Sequence, residues 1–206
     1  MKKKKVIVVA TRNAGKLREI EDMLDLGGWR IVNMSKFPEI GEIPEDADTF
    51  EGNARIKAST VAAATGVVAL ADDSGIEVDA IGGKPGVNSA RFAGENATDD
   101  MNNEKLLEKM EGVPYEKRTA RFVSVICVRT PDGEELSVRG ECEGVILEEY
   151  RGTYGFGYDP LFYHAPSGKT FSEMTPEEKN AVSHRRMALE KLKRELSVFL
   201  DRHFLN

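Results

Sequence analysis

The sequence predicts an α/β fold, a mixed β-sheet flanked by helices, and three observations lead there. Short β-branched runs alternate with helix-period segments through the first third of the chain, as strand–helix–strand units require. Further on, two long strand-like runs flank Pro131-Asp132-Gly133, the turn signal of an antiparallel hairpin. The chain has 206 residues, of which 40% are apolar before its 19 glycines are counted, enough for a sizeable core. Parallel units and a hairpin together exclude a purely doubly wound sheet.

The elements follow in order. Lys5 to Ala10 is an apolar run of the kind buried in a sheet, and Ala14 to Leu26 continues with Leu17, Ile20, Met23 and Leu24 at helical spacing. Trp29 to Met34 reads as a second strand, and Lys36 to Asp48 as an acidic loop punctuated by Pro38, Gly41 and Pro44. Thr49 to Thr65 is an Ala-rich helix stopped by Gly66. Val67 to Ala71 reads as a buried strand ending at Asp72-Asp73-Ser74-Gly75, and Ile76 to Val78 can continue it. Residues 82–91 form a turn-rich segment, and Thr98 opens a helix with acids in its first turn that runs to about Met110. Arg118 to Arg129 and Glu135 to Ile146 are the hairpin strands. A glycine loop at Gly152 to Pro160 precedes a short strand, Leu161 to Tyr163. A single helix from about Asn180 to Phe204 closes the chain, its face drawn by Ala181, Met187, Ala188, Leu192 and Leu196. No repeat or long linker divides these elements, so residues 1–206 are expected to form one domain, within which two lobes fit the length.

Composition removes several functional classes. The net charge of −6 offers no global field for a nucleic-acid backbone, so a polymer binder is not expected. No run approaches the roughly 18 apolar residues of a membrane span, and Val6 to Ala10 is too short for a signal h-region. Cys127 and Cys142 are far apart and lack histidines at ligand spacing, which excludes a zinc motif and suits a reducing, cytoplasmic compartment.

Five segments can carry chemistry. Thr11-Arg12-Asn13-Ala14-Gly15-Lys16 lies between a strand and a helix, where backbone N–H groups, a hydroxyl and a lysine suit a phosphate; an ordinary turn capped by Asn13 fits as well. Asp72 and Asp73 are adjacent on extended chain and point to opposite faces, so only one can serve a given site as metal ligand or base. The stretch containing Glu39, Glu42, Glu45, Asp46, Asp48 and Glu51 has acids enough for one or two hard-cation ligands, most of them merely solvated. Gly155-Phe156-Gly157-Tyr158-Asp159-Pro160 combines glycine freedom with aromatics that could stack a base or pack in the core. Lys179, Ser183, His184, Arg185 and Arg186 gather cations near the start of the last helix, where the dipole favours anions; an anionic ligand or a solvated basic face would each account for them. Jointly the five describe Mg²⁺-dependent nucleotide chemistry.

In these motifs, with Thr49-Phe50-Glu51-Gly52-Asn53-Ala54, Pro85-Gly86-Val87 and Ser89-Ala90-Arg91, the chain resembles the inosine triphosphate pyrophosphatase family over nearly its whole length. It departs at Asn88, where members often carry an aromatic residue. The resemblance implies hydrolysis of ITP, dITP and XTP to the monophosphate and pyrophosphate with Mg²⁺, by a homodimer with an elongated sheet and a cleft between two lobes. It implies that Asp73 accepts the proton of the attacking water and ligates the metal with Glu45. Residues Thr11, Arg12, Asn13, Ala14, Gly15 and Lys16 would hold phosphates, and Ser74 would lie against the substrate. Phe156 would stack on the base with Gly157 and Tyr158 also binding substrate, and Asp159, Lys179, His184 and Arg185 would recognise the purine edge or sugar. Two alternatives remain at this point: a related pyrophosphatase with another base preference, and a nucleotide-sensing module without turnover.

Overall fold

In the computed structural model, residues 5–12, 14–24 and 28–204 are described. Val6–Val9 (β1) enters Ala14–Met23 (α1), and Arg30–Asn33 (β2) returns beside β1. Phe50–Thr65 (α2) leads to Val68–Val78 (β3), and Lys84–Pro85 (β4) folds back on β3. Asp99–Lys109 (α3) precedes the hairpin Thr119–Arg129 (β5) and Glu135–Ile146 (β6). Phe162–His164 (β7), Lys169–Thr170 (β8), Pro176–Val182 (α4) and His184–Phe204 (α5) complete the chain.

The sheet order is β2-β1-β3-β5-β6-β7-β8, with β4 on β3. It is mixed, as expected: β1 is parallel to β2 and β3, whereas β4, β7 and β8 pair antiparallel. The chain divides into two compact units, Met1–Asp73 with Val125–Gly140 and Ala188–Asn206, and Ser74–Ser124 with Glu141–Met187. In the first, Ile7, Val9, Leu70 and Ile126 of the strands pack with Leu189, Leu192 and Leu196 of α5. In the second, Phe122, Phe162 and Phe171 form an aromatic cluster with Met110 and Leu161. Each fully buried Leu or Phe contributes about 1.5–3 kcal/mol of transfer free energy, so each unit has its own driving force.

Helix limits follow local chemistry. Thr49 caps α2 by accepting from the Gly52 N–H at 3.0 Å, and Gly66 ends it in the left-handed region at φ 66°. Thr98 caps α3 in the same way, and Thr175 with Glu178 forms a capping box ahead of α4.

Two expectations are corrected. β3 does not end at Ala71; it runs unbroken through Asp72, Asp73 and Ser74 to Val78, because long-range cations satisfy its acids. The closing helix is two helices: Ser183 takes extended geometry at ψ 150°, and its hydroxyl accepts from the Arg186 N–H to start α5 afresh. The helix expected to reach Leu26 stops at Met23, and residues 25–27 lie outside the described part.

Candidate active site

In the first unit, β1 delivers the chain to the opening of α1, whose first-turn N–H groups lack intrahelical acceptors. Lys16 extends from that turn to within 2.5 Å of the Asp72 carboxylate, which is fully buried. Arg12 turns elsewhere: its guanidinium donates to the carbonyls of Ile40 and Gly41 at 3.0 and 3.1 Å, tying the acidic loop to the end of β1. Thr11 donates its backbone N–H to the Val9 carbonyl. Asn13 lies outside the described residues, and Ala14 and Gly15 supply the backbone of the first turn of α1.

Asp73, the next residue of β3, projects from the opposite face and finds Lys57. The Lys57 ammonium stands 2.9 Å from Asp73 Oδ1 and 3.0 Å from Glu45 Oε2. One buried lysine on α2 therefore gathers two carboxyl groups from a strand and a loop. Burial pushes the Asp73 carboxyl up to about 6; the Lys57 charge opposes the rise and the neighbouring Glu45 adds to it. In Glu45 burial also pushes upward, but the Lys57 charge and the hydrogen bond from Asp73 outweigh it and hold the group below its ordinary value. Burial would lower Lys57, yet the two acids keep it above its ordinary value. Of the two acids, Asp73 is thus the one that takes up a proton first as pH falls.

Sequence reasoning gave Lys57 no role. A signal was present: Asn53 and Lys57, four residues apart, interrupt the buried face made by Phe50, Ala54, Ala58 and Val61. Asn53 Oδ1 accepts from the Ala47 N–H at 2.9 Å and holds the acidic loop on α2, which places Glu45 within reach of Lys57.

The second unit assembles a different set. Ser74 Oγ accepts from Arg185 Nη2 at 3.3 Å. His184 and Arg185 occupy the first turn of α5, are nearly buried, and the His184 ring stacks on Phe122 at 5.0 Å between centroids. Phe156 is 63% exposed, with the Lys179 ammonium 4.7 Å from its ring centroid. Asp159 accepts from Lys179 Nζ at 2.5 Å and from the Phe156 N–H at 3.0 Å. Its carboxyl lies above the ordinary range because burial outweighs those partners. Lys179 sits in the last turn of α4, where a cation suits the helix dipole, not at the start of the final helix as expected. The Tyr158 side chain belongs to the core, its hydroxyl donating to the Ser89 carbonyl at 2.8 Å.

Among the described residues no cluster of three His, Cys, Asp or Glu side chains forms a ready-made metal cage. The Glu45–Asp73 pair nonetheless fits Mg²⁺, which is commonly held by one or two carboxylates with substrate phosphates completing its shell. With both acids ionised, the trio with Lys57 carries one net negative charge that a divalent cation reverses.

Fold and side chains define an α/β protein with a lysine at a helix opening, a carboxylate pair suited to a hard cation, and an exposed aromatic beside basic residues. The chain belongs to the Ham1 family, which it matches over residues 7–195, and the resemblance read from the motifs is borne out. It is 54% identical over 190 residues to a protein of Geobacter sulfurreducens named dITP/XTP pyrophosphatase, covering 92% of this chain and 96% of that one. The solved structure of a HAM1 protein from Coxiella burnetii superposes with a TM-score of 0.88 at 42% identity, over 94% of this chain and 98% of the other. The Staphylococcus aureus Ham1 protein gives 0.87 at 38% identity, with the same coverage.

Proposed function

We propose that this protein hydrolyses non-standard purine nucleoside triphosphates, ITP, dITP and XTP, to the nucleoside monophosphate and pyrophosphate. The observation that carries the reading is the Glu45–Lys57–Asp73 trio: a nearly buried carboxylate held by a lysine, with a second acid beside it. The name of the Geobacter sulfurreducens relative supports the same substrate class.

In this reading water attacks the α-phosphorus, the bond from that phosphorus to the bridging oxygen of the β-phosphate breaks, and pyrophosphate leaves. Glu45 and Asp73 would hold Mg²⁺, whose charge would neutralise part of the triphosphate when bound. Asp73 orients the water and takes its proton, and Lys57 fixes the carboxylate in place for that task. Lys16 and the N–H groups at the opening of α1 offset phosphate charge, which is the main demand of phosphoryl chemistry. Phe156 stacks on the base. His184 and Arg185 present donors to the 6-oxo group of hypoxanthine or xanthine; adenine offers an amino donor there and is disfavoured.

To this reading also belong a homodimer, one domain of two lobes, and a cytoplasmic location, with no nucleic acid or membrane as partner. Cys127 and Cys142 support the compartment: both are buried free thiols, pushed up to about 12 by burial. Among the described residues no helix is long and apolar enough to cross a membrane.

The test is incubation with Mg²⁺ and ITP, XTP, GTP or ATP, measuring pyrophosphate and orthophosphate separately. Pyrophosphate and monophosphate from ITP and XTP are expected. Orthophosphate as first product, or equal rates on all four, overturns the assignment, and binding without turnover makes the protein a nucleotide sensor.

A further inference from the structure

The exposed Phe156 ring poses a physical problem. A stacking face contributes most when it is held in place before the base arrives, since ordering it on binding costs conformational entropy. Yet the ring is 63% exposed and sits in a loop with positive φ at Gly155 and Gly157, so the Lys179 contact on the ring leaves most of it unpacked.

The loop is held through its backbone instead. On the near side of Phe156 its own N–H donates to Asp159. On the far side both polar groups of Gly157 are taken by α3. The Gly157 N–H donates to Asp99 Oδ2 at 2.7 Å, and the Gly157 carbonyl accepts from Asn103 Nδ2 at 2.7 Å. Asp99 and Asn103 are four residues apart and share one face of the helix, the spacing that lets one helix hold the two peptide groups that flank Gly157.

The orientation of the Asn103 amide is set by that contact, because its oxygen would repel the carbonyl if the group were turned round. Asn103 is 1% exposed, and among the described residues its Oδ1 finds no hydrogen-bond partner. The bond that Asn103 makes among the described residues is the one that fixes Gly157, so its buried amide nitrogen is committed to the loop.

We infer that Asp99 and Asn103 are positioning residues that clamp the backbone on both sides of Gly157 and hold the Phe156 ring ready to stack on the substrate base. The inference rests on the nucleotide reading of the same loop and adds to it two residues of α3 that act through that loop.

The experiment combines steady-state kinetics on ITP with backbone amide exchange. Asp99→Ala and Asn103→Ala each raise KM about 5- to 20-fold and leave kcat within about twofold, because the clamp orders a binding surface and not the reacting atoms. Asp99→Asn, whose amide oxygen still accepts, restores KM to within about threefold of wild type. In a Phe156→Ala background, adding Asn103→Ala changes KM less than about twofold, since no ring is left to position. Amide exchange across residues 152–160 of the substrate-free protein rises in both alanine variants.

Asp99 is exposed, so its variants report even if Asn103→Ala fails to fold. Unchanged exchange, equal loss from Asn103→Ala with and without Phe156, or a loss confined to kcat overturns the clamp. If wild-type protein turns over ITP and Phe156→Ala has normal KM, it is the stacking reading that fails. Full effects in Phe156→Ala with none in the α3 variants leave that reading standing and remove the clamp.

Discussion

At the scale of single residues, Asp73 and Lys57 divide one task. Asp73→Asn keeps the shape and a hydrogen bond to Lys57 but removes the proposed proton acceptor, so kcat is expected to fall about 100- to 10,000-fold, the usual contribution of a general base. Calorimetric titration with ITP and Mg²⁺ should still show binding, and a normal kcat removes Asp73 from the chemistry. Arg185→Ala takes a donor from the base-recognition set and should narrow the ratio of kcat/KM between ITP and ATP; an unchanged ratio moves recognition to other residues. The two Asp side chains on β3 were legible in the sequence because the alternation of a strand separates neighbours by face. Lys57 was not, because a lysine inside a helical repeat looks solvated until the fold brings Glu45 and Asp73 to it. Arg12 shows the reverse: its place in a phosphate-like motif did not reveal that its guanidinium would be used on the Ile40 and Gly41 carbonyls.

At the scale of elements, strands and helices with strong local signals came out within a few residues of expectation, as for α2 between Thr49 and Gly66. The misses have a common cause, since local composition was outvoted by distant partners or by a second cap. Asp72-Asp73-Ser74-Gly75 has the composition of a turn, yet β3 passes through it with Lys16 and Lys57 neutralising the acids. The last helix kept its apolar period across Ser183, which hid the break between α4 and α5. That break sets His184 and Arg185 in the first turn of α5 and Lys179 in the last turn of α4. Ser183→Ala removes the cap on Arg186, at a cost of about 1 kcal/mol, or about 2–4 °C in Tm for a protein of this size. A melting curve checks the stability. The KM for ITP should rise as the first turn of α5 frays, and unchanged KM with lowered Tm would make Ser183 a purely structural cap.

At the scale of the whole molecule, the sequence supported a mixed α/β sheet because parallel units and a hairpin left separate signatures; the two units with separate cores follow from contacts that no local pattern encodes. Trp29, the sole tryptophan, packs against the core of the first unit, so its fluorescence reports that unit. Glu135 lies in the same unit, where Arg55 donates to both its oxygens at 2.8 Å and Arg129 adds a bond at 2.7 Å. The Arg55 hydrogen bonds hold the Glu135 carboxyl below its ordinary 4.5, with Arg129 reinforcing them against burial. The folded protein therefore binds fewer protons here than the unfolded chain in the window just below 4.5. Its contribution is fully present above that value and is lost as pH falls through the lowered folded one. Because the Arg55 side chain is 57% exposed, solvent screening limits the effect to about 0.5–1 kcal/mol. In urea titrations followed by Trp29, Glu135→Gln should be weaker than wild type by that amount at pH 7, and the gap should narrow as pH falls below 4.5. A gap that does not narrow as pH falls below 4.5 would show that Glu135 stabilises the unit by packing and not by its charge.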